Sequence, residues 1–199
     1  MLHGWGATER DVLPIGALLD QEGSFYVVGA RAPHPTVSSQ HEGACWFEAA
    51  ASGVDASTFL DSLRMLQHTV ENLSRAYGVP PERVVAVGFS QGGAMALALA
   101  YAPGGPKIGG VACLSGFFPD VDGVEFDWEH RSDIPAFVQH GSEDGRVPME
   151  LAESTVEFLR SAGVRVVFDV RPMAHQMTLE GLRTLQSWIA DLKAGRVGP

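Results

Sequence analysis

The stretch Arg83-Val84-Val85-Ala86-Val87-Gly88-Phe89-Ser90-Gln91-Gly92-Gly93-Ala94-Met95-Ala96-Leu97-Ala98-Leu99-Ala100-Tyr101 decides the fold. Its apolar, β-branched opening predicts a strand over 83–89, buried on both faces. The small apolar residues that follow predict a helix over 91–101. Between the two lies Gly88-Phe89-Ser90-Gln91-Gly92, a G-x-S-x-G pattern with no loop on either side. In a chain with 23 glycines, chance alone supplies about 0.2 such matches, so the placement between strand and helix carries the weight. A strand that turns at once into a helix lifts a serine hydroxyl above the sheet, and flanking glycines give the turn the room it needs.

Outward from this turn the same alternation repeats. Phe59, Leu60, Leu63, Leu66, Val70, Leu73 and Tyr77 recur at steps of three and four, giving a helix with one apolar face that Gly78 stops. Apolar runs over Ser24–Gly29, Ile108–Leu114, Pro135–Gln139 and Val164–Val170 read as four further strands. Helices over about 149–162 and 178–193 follow the last two strands. Apolar strands, each trailed by a helix, predict an α/β fold: a mostly parallel sheet with helices on both faces. No repeat or linker interrupts 1–199, so one domain is expected. Gly116–Asp133 is the longest irregular stretch in the second half, long enough for a flap and too short for a cap domain.

The net charge of −10 disfavours nucleic acid and anionic membranes as partners. No apolar run approaches a membrane-spanning length. The opening Met1–Gly6 lacks the pattern of a signal peptide, so a cytoplasmic location is expected. Two cysteines make no disulfide framework, and Cys113 reads as an inert core thiol. Cys/His spacings suited to zinc are missing, so neither a metal nor a cofactor is expected.

A serine hydroxyl needs a base to take its proton, and imidazole suits that role near neutrality. On this type of sheet the chain order is serine, then acid, then histidine, which leaves His130, His140 and His175. His175 follows a strand and precedes the last helix, at the carboxyl edge of the sheet, and is preferred as general base. His140 is assigned to shaping the turn before Asp144, and His130 to the solvated flap. Glu143 and Asp144 both follow a strand end; Asp144, leading into Gly145 and Val147-Pro148, is preferred as the acid that orients His175. Asp169 lies within a strand and is expected to face solvent. An oxyanion formed in acyl transfer needs backbone N–H donors. Gln91 supplies one, and the glycine-rich loop His3-Gly4-Trp5-Gly6 is suited to supply another.

These segments resemble the phospholipase/carboxylesterase branch of the α/β-hydrolases, which includes acyl-protein thioesterases. The resemblance rests on Leu2–Ala7, Arg31–Pro33, Cys45–Glu48, Gly88–Gly93, Leu114–Gly116, His140-Gly141 with Asp144 and Val147-Pro148, and Met173 with His175. It covers nearly the whole chain, in family order. It implies a cofactor-free serine hydrolase of carboxylic esters or thioesters, with Ser90, Asp144 and His175 as triad and the N–H groups of Trp5 and Gln91 as oxyanion hole. It also implies a possible homodimer. Trp46, Phe47, Phe117 and Phe118 are candidates to line an acyl groove. Other readings of the same residues are a serine peptidase or a catalytically silent binding protein. Two departures stand out. Ala174 replaces the family's usual glycine, and Met1 stands almost at the end of the strand that enters the His-Gly loop, so the sheet is expected to lack its N-terminal strands.

Overall fold

The computed structural model describes residues 1–20, 22–37, 42–50 and 53–197. Helix α1 (Glu9–Leu19) is followed by two small antiparallel pairs, β1 (His34–Val37) with β2 (Glu42–Cys45) and β3 (Ala49–Ala50) with β4 (Gly53–Val54). Then come α2 (Ala56–Tyr77), a 3-10 turn over Pro81–Arg83, β5 (Val85–Phe89) and α3 (Gln91–Tyr101). The chain closes with β6 (Gly110–Leu114), α4 (Trp128–Arg131), β7 (Ala136–Gly141), α5 (Met149–Ser161), β8 (Val166–Arg171) and α6 (Leu179–Lys193).

Strands β5, β6, β7 and β8 form one parallel sheet in that spatial order, with Val85 opposite Gly110, Val111 opposite Ala136, and Ala136 opposite Val166. Side chains alternate across it. Val87, Ala112, Leu114 and Phe137 pack with Leu182, Leu185, Trp188 and Ile189 of α6 on one face. Ala86, Val111, Cys113, Ala136 and Val138 pack with α2, α3 and α5 on the other. β6 and β7 are buried along their whole length, as a doubly covered strand must be. Cys113 lies in this layer, where burial pushes its thiol up to about 12.

Four of the five expected strands are present, and Gly78 ends α2 in the left-handed conformation, φ 64°. Ser24–Gly29 is the exception. It forms no strand, and only Ala30 beyond it makes a bridge, parallel to Leu2. Leu2 in turn bridges Gly88 of β5, so this one residue lies between the two segments. The Met1 amine donates to Val28 O at 2.8 Å and Ala30 N donates to Met1 O at 3.1 Å. Among the described residues the segment's ladder consists of the one Leu2–Ala30 bridge, too little pairing to make a strand. Gly116–Asp133 is irregular apart from α4, as expected of a flap. Among the described residues, no helix is long and apolar enough to cross a membrane, and no cluster of His, Cys, Asp and Glu is placed to hold a metal ion.

Candidate active site

Ser90 occupies the junction between β5 and α3 with φ 55° and ψ −120°. A non-glycine residue in this region costs about 1–3 kcal/mol and persists only where its surroundings impose it. Here the surroundings do. Ser90 N–H donates to Leu114 O at 2.8 Å, and the Ser90 carbonyl accepts from Gly93 N and Ala94 N, starting α3. A Cβ on Gly88 would strike the Gly92 carbonyl, and one on Gly92 would strike the Leu2 carbonyl. The glycines of the motif are therefore needed for close backbone approach, which no side chain permits.

The loops after β7 and β8 bring their side chains to this point. His175 Nε2 lies 3.0 Å from Ser90 Oγ, and His175 Nδ1 lies 2.7 Å from Asp144 Oδ2. The other Asp144 oxygen accepts from Arg146 N at 2.9 Å and Val147 N at 3.0 Å. Burial pushes the Asp144 carboxyl up, but the Val147 and Arg146 amides and His175 outweigh it and hold the group below the usual carboxylate range. An ionised Asp144 accepts at Oδ2, so His175 carries its proton on Nδ1 and presents a bare Nε2 to the serine hydroxyl, which donates. Phe89 packs against the imidazole with ring centroids 4.9 Å apart.

The rejected candidates have other occupations. His140 is fully buried, and its Nε2–H donates to Val147 O at 2.8 Å, steadying the turn that carries Asp144. His130 is exposed and bonds Asp127, which raises its pKa. Glu143 is exposed. Asp169 does not simply face solvent: it pairs with Arg171 at 2.9 Å and accepts from Gln139 Nε2 at 2.7 Å.

On the other side of Ser90 lies the loop His3–Gly6. The position a Gly4 Cβ would take is 3.4 Å from Ser90 Cβ, so the loop touches the serine. Gln91, whose backbone begins α3, also has a side-chain role that the sequence did not suggest. Its Oε1 accepts from Trp46 N at 2.8 Å and its Nε2 donates to Phe47 O at 2.7 Å, across more than forty residues of chain. Trp46 Nε1 then donates to His3 O at 2.8 Å. Trp46 is fully buried, so it offers no surface to an acyl chain and its place as a groove residue is corrected: it braces the loop. Phe47, 7% exposed, packs on Phe59. Phe118 belongs to an aromatic cluster with Phe126, Trp128 and Phe158, at centroid distances of 4.7, 5.9 and 4.6 Å. Phe117 is half-buried and follows Gly116, whose backbone lies against the Ser90 carbonyl. Trp5 is 64% exposed.

Comparison with known proteins shows the family and the fold. Residues 1–193 match the phospholipase/carboxylesterase family model. A probable carboxylesterase, SOBER1-like, of Arabidopsis thaliana is 32% identical over 205 residues, covering 94% of this chain and 76% of the relative. Carboxylesterase SOBER1 of the same plant is 34% identical over 143 residues, but those span only 60% of its length. Acyl-protein thioesterase 1 of Saccharomyces cerevisiae is 29% identical, covering 94% of this chain and 85% of the relative. Among solved structures, Arabidopsis thaliana SOBER1 superposes with a TM-score of 0.80 at 26% identity, covering 96% of each chain. The Bacillus cereus carboxylesterase shares the fold, with a TM-score of 0.80 at 20% identity and coverage of 96% of this chain and 86% of that one. The chain belongs to the phospholipase/carboxylesterase family of hydrolases and has the α/β-hydrolase fold.

Proposed function

We propose that the chain hydrolyses carboxylic esters or thioesters through a covalent acyl-enzyme, with Ser90 as nucleophile, His175 as general base and Asp144 as the orienting acid. The observation that carries this reading is the unbroken chain Asp144–His175–Ser90, at 2.7 and 3.0 Å, ending on a strained serine at the head of a helix. His175 Nε2 takes the Ser90 proton as Oγ attacks the acyl carbon. Asp144 stabilises the imidazolium that results. The tetrahedral oxyanion is received by the N–H groups of Trp5 and Gln91, the latter aided by the positive end of α3. His175 returns its proton to the departing alcohol or thiol, and water repeats the cycle on the acyl-enzyme.

Phe117, half-buried and next to the segment that contacts Ser90, is proposed to flank the acyl group. The intact and aligned set weighs against a silent binding protein. A fluorophosphonate probe tests the assignment: it should label the full chain once, on Ser90, as read by peptide mass spectrometry. Absence of label, or label elsewhere, would refute the nucleophile and with it the mechanism.

A further inference from the structure

We propose that His3 is a positioning residue for this reaction: its Nδ1–H holds the Gly4 carbonyl and thereby turns the Trp5 N–H toward the oxyanion. The inference rests on the proposed site, and it starts from the bonds that fix the loop. Leu2 N donates to Val87 O and Phe89 N to Leu2 O. The His3 carbonyl accepts from Trp46 Nε1. Gly6 N donates to Ala44 O, and the Ala7 carbonyl accepts from Ala44 N. The Gly4 carbonyl accepts from Ala7 N at 3.2 Å and lies 2.8 Å from His3 Nδ1. Among the described residues, the Trp5 N–H has no protein acceptor, and neither have the N–H groups of His3 and Gly4; of the three, only the Trp5 N–H belongs to the peptide whose carbonyl His3 holds.

The peptide between Gly4 and Trp5 is planar and trans, so its C=O and N–H point in opposite directions. With the carbonyl fastened toward the buried imidazole, the N–H must face the other side of the loop. Gly4 itself lies beside Ser90, a Cβ built on it falling 3.4 Å from Ser90 Cβ, so an N–H turned away from the imidazole is within reach of the reacting carbonyl in this proposal. The imidazole is itself fixed. His3 Nε2 accepts from Ala32 N at 3.0 Å, which leaves Nδ1 as the protonated nitrogen. The ring is fully buried, and it stacks on Trp46 at a centroid distance of 5.2 Å. Burial also pushes the His3 pKa down, in keeping with a neutral ring. His3 precedes Ser90 in the chain and takes no part in proton transfer; its effect passes through one peptide plane.

Three variants separate this role from a merely structural one. His3→Asn keeps an N–H donor near the Nδ1 position. His3→Gln keeps an acceptor near the Nε2 position and loses the donor. His3→Leu loses both. With a p-nitrophenyl butyrate assay, kcat should fall by about 10²–10³-fold in His3→Gln and His3→Leu, the scale of one lost oxyanion donor. KM should change less than about twofold, because the donor acts on the transition state. His3→Asn should stay within about tenfold of the parent. Losses of kcat that are equal in Asn and Gln, or that simply follow the loss of Tm across the three, would overturn the proposal.

A second measurement needs no variant. In the parent protein phosphonylated on Ser90, the Trp5 amide proton should move downfield and gain exchange protection by NMR. A Trp5 amide unmoved while Gln91 shifts would overturn the role of His3 and leave the nucleophile standing. Failure of phosphonylation itself would instead refute the underlying site.

Discussion

The two flanks of Ser90 are built by different means. On one flank, Asp144 and His175 hang from the ends of β7 and β8, two strands in a regular parallel ladder anchored at both faces. Their positions follow from repeated backbone pairing, to which many residues contribute a little. On the other flank, the loop His3–Gly6 has only single bridges at its ends, Leu2 to Ala30 and Gly88 and Ala7 to Ala44, and it is held besides by individual side chains: Trp46, Gln91 and His3. The acid-base flank is thus held by redundancy, whereas the loop flank depends on a few bonds. Substitutions outside the triad should therefore harm the loop flank more.

The largest effect lies where the flanks meet. Ser90→Ala should lower kcat on p-nitrophenyl esters by about 10⁶-fold with the fold intact by circular dichroism. Substantial residual turnover would mean the two flanks do not converge on this hydroxyl.

Asp144→Asn, which leaves the ladder untouched, should cost on the order of 10⁴ in kcat. The same variant tests the carboxylate by linkage. The folded pKa of Asp144 is depressed, so its ionised form contributes stability that is present above the unfolded value and lost as pH falls through the folded one. The stability difference between parent and Asp144→Asn should therefore shrink below about pH 4. A difference that stays constant through that range would show that the carboxylate is not held as described.

Gln91→Leu strands the Trp46 amide and the Phe47 carbonyl in the core. Each buried unpaired group costs about 1–3 kcal/mol, so a loss of about 2–6 kcal/mol in urea titration is expected, with a fall in kcat as the loop loosens. A near-neutral result would remove the contrast between the flanks. The smallest effect is local: amides of Val85 and Val87, beside the flank where Leu2 alone makes bridges, should exchange faster than those of Val111 and Val138 between paired strands.

The sequence was legible where the chain repeats a period. Helix 91–101 was read to the residue, and β5–β8 within a few residues, because each carries its own apolar pattern. The proposed triad is readable for a related reason: Ser90, Asp144 and His175 each lie within four residues of the end of a strand with such a pattern. The amino-terminal third was not. Helix α1 contains Pro14 and no sustained apolar stripe, and the antiparallel pairs are short and partly polar. The bracing roles of Gln91 and Trp46 depend on contacts between residues 45 positions apart, for which no local signal exists. His3 was set aside because a base must follow the serine in this chain order. Only the geometry assigns it another task.

The bridges made by Leu2 have a consequence for the order of synthesis. Residues 2–7 leave the ribosome before the groups that hold them, which run from Ala30 through Ala44 and Trp46 to Val87 and Phe89. At roughly 5–20 residues per second, Phe89 follows Leu2 by about 4–17 s. Until then the segment's ladder with β5 cannot close, and each of those bonds spans a long loop of chain. The first part of the site to be translated thus waits for β5 before it is fixed. A nascent chain paused before Phe89 would expose an apolar amino-terminal segment for chaperones to cover.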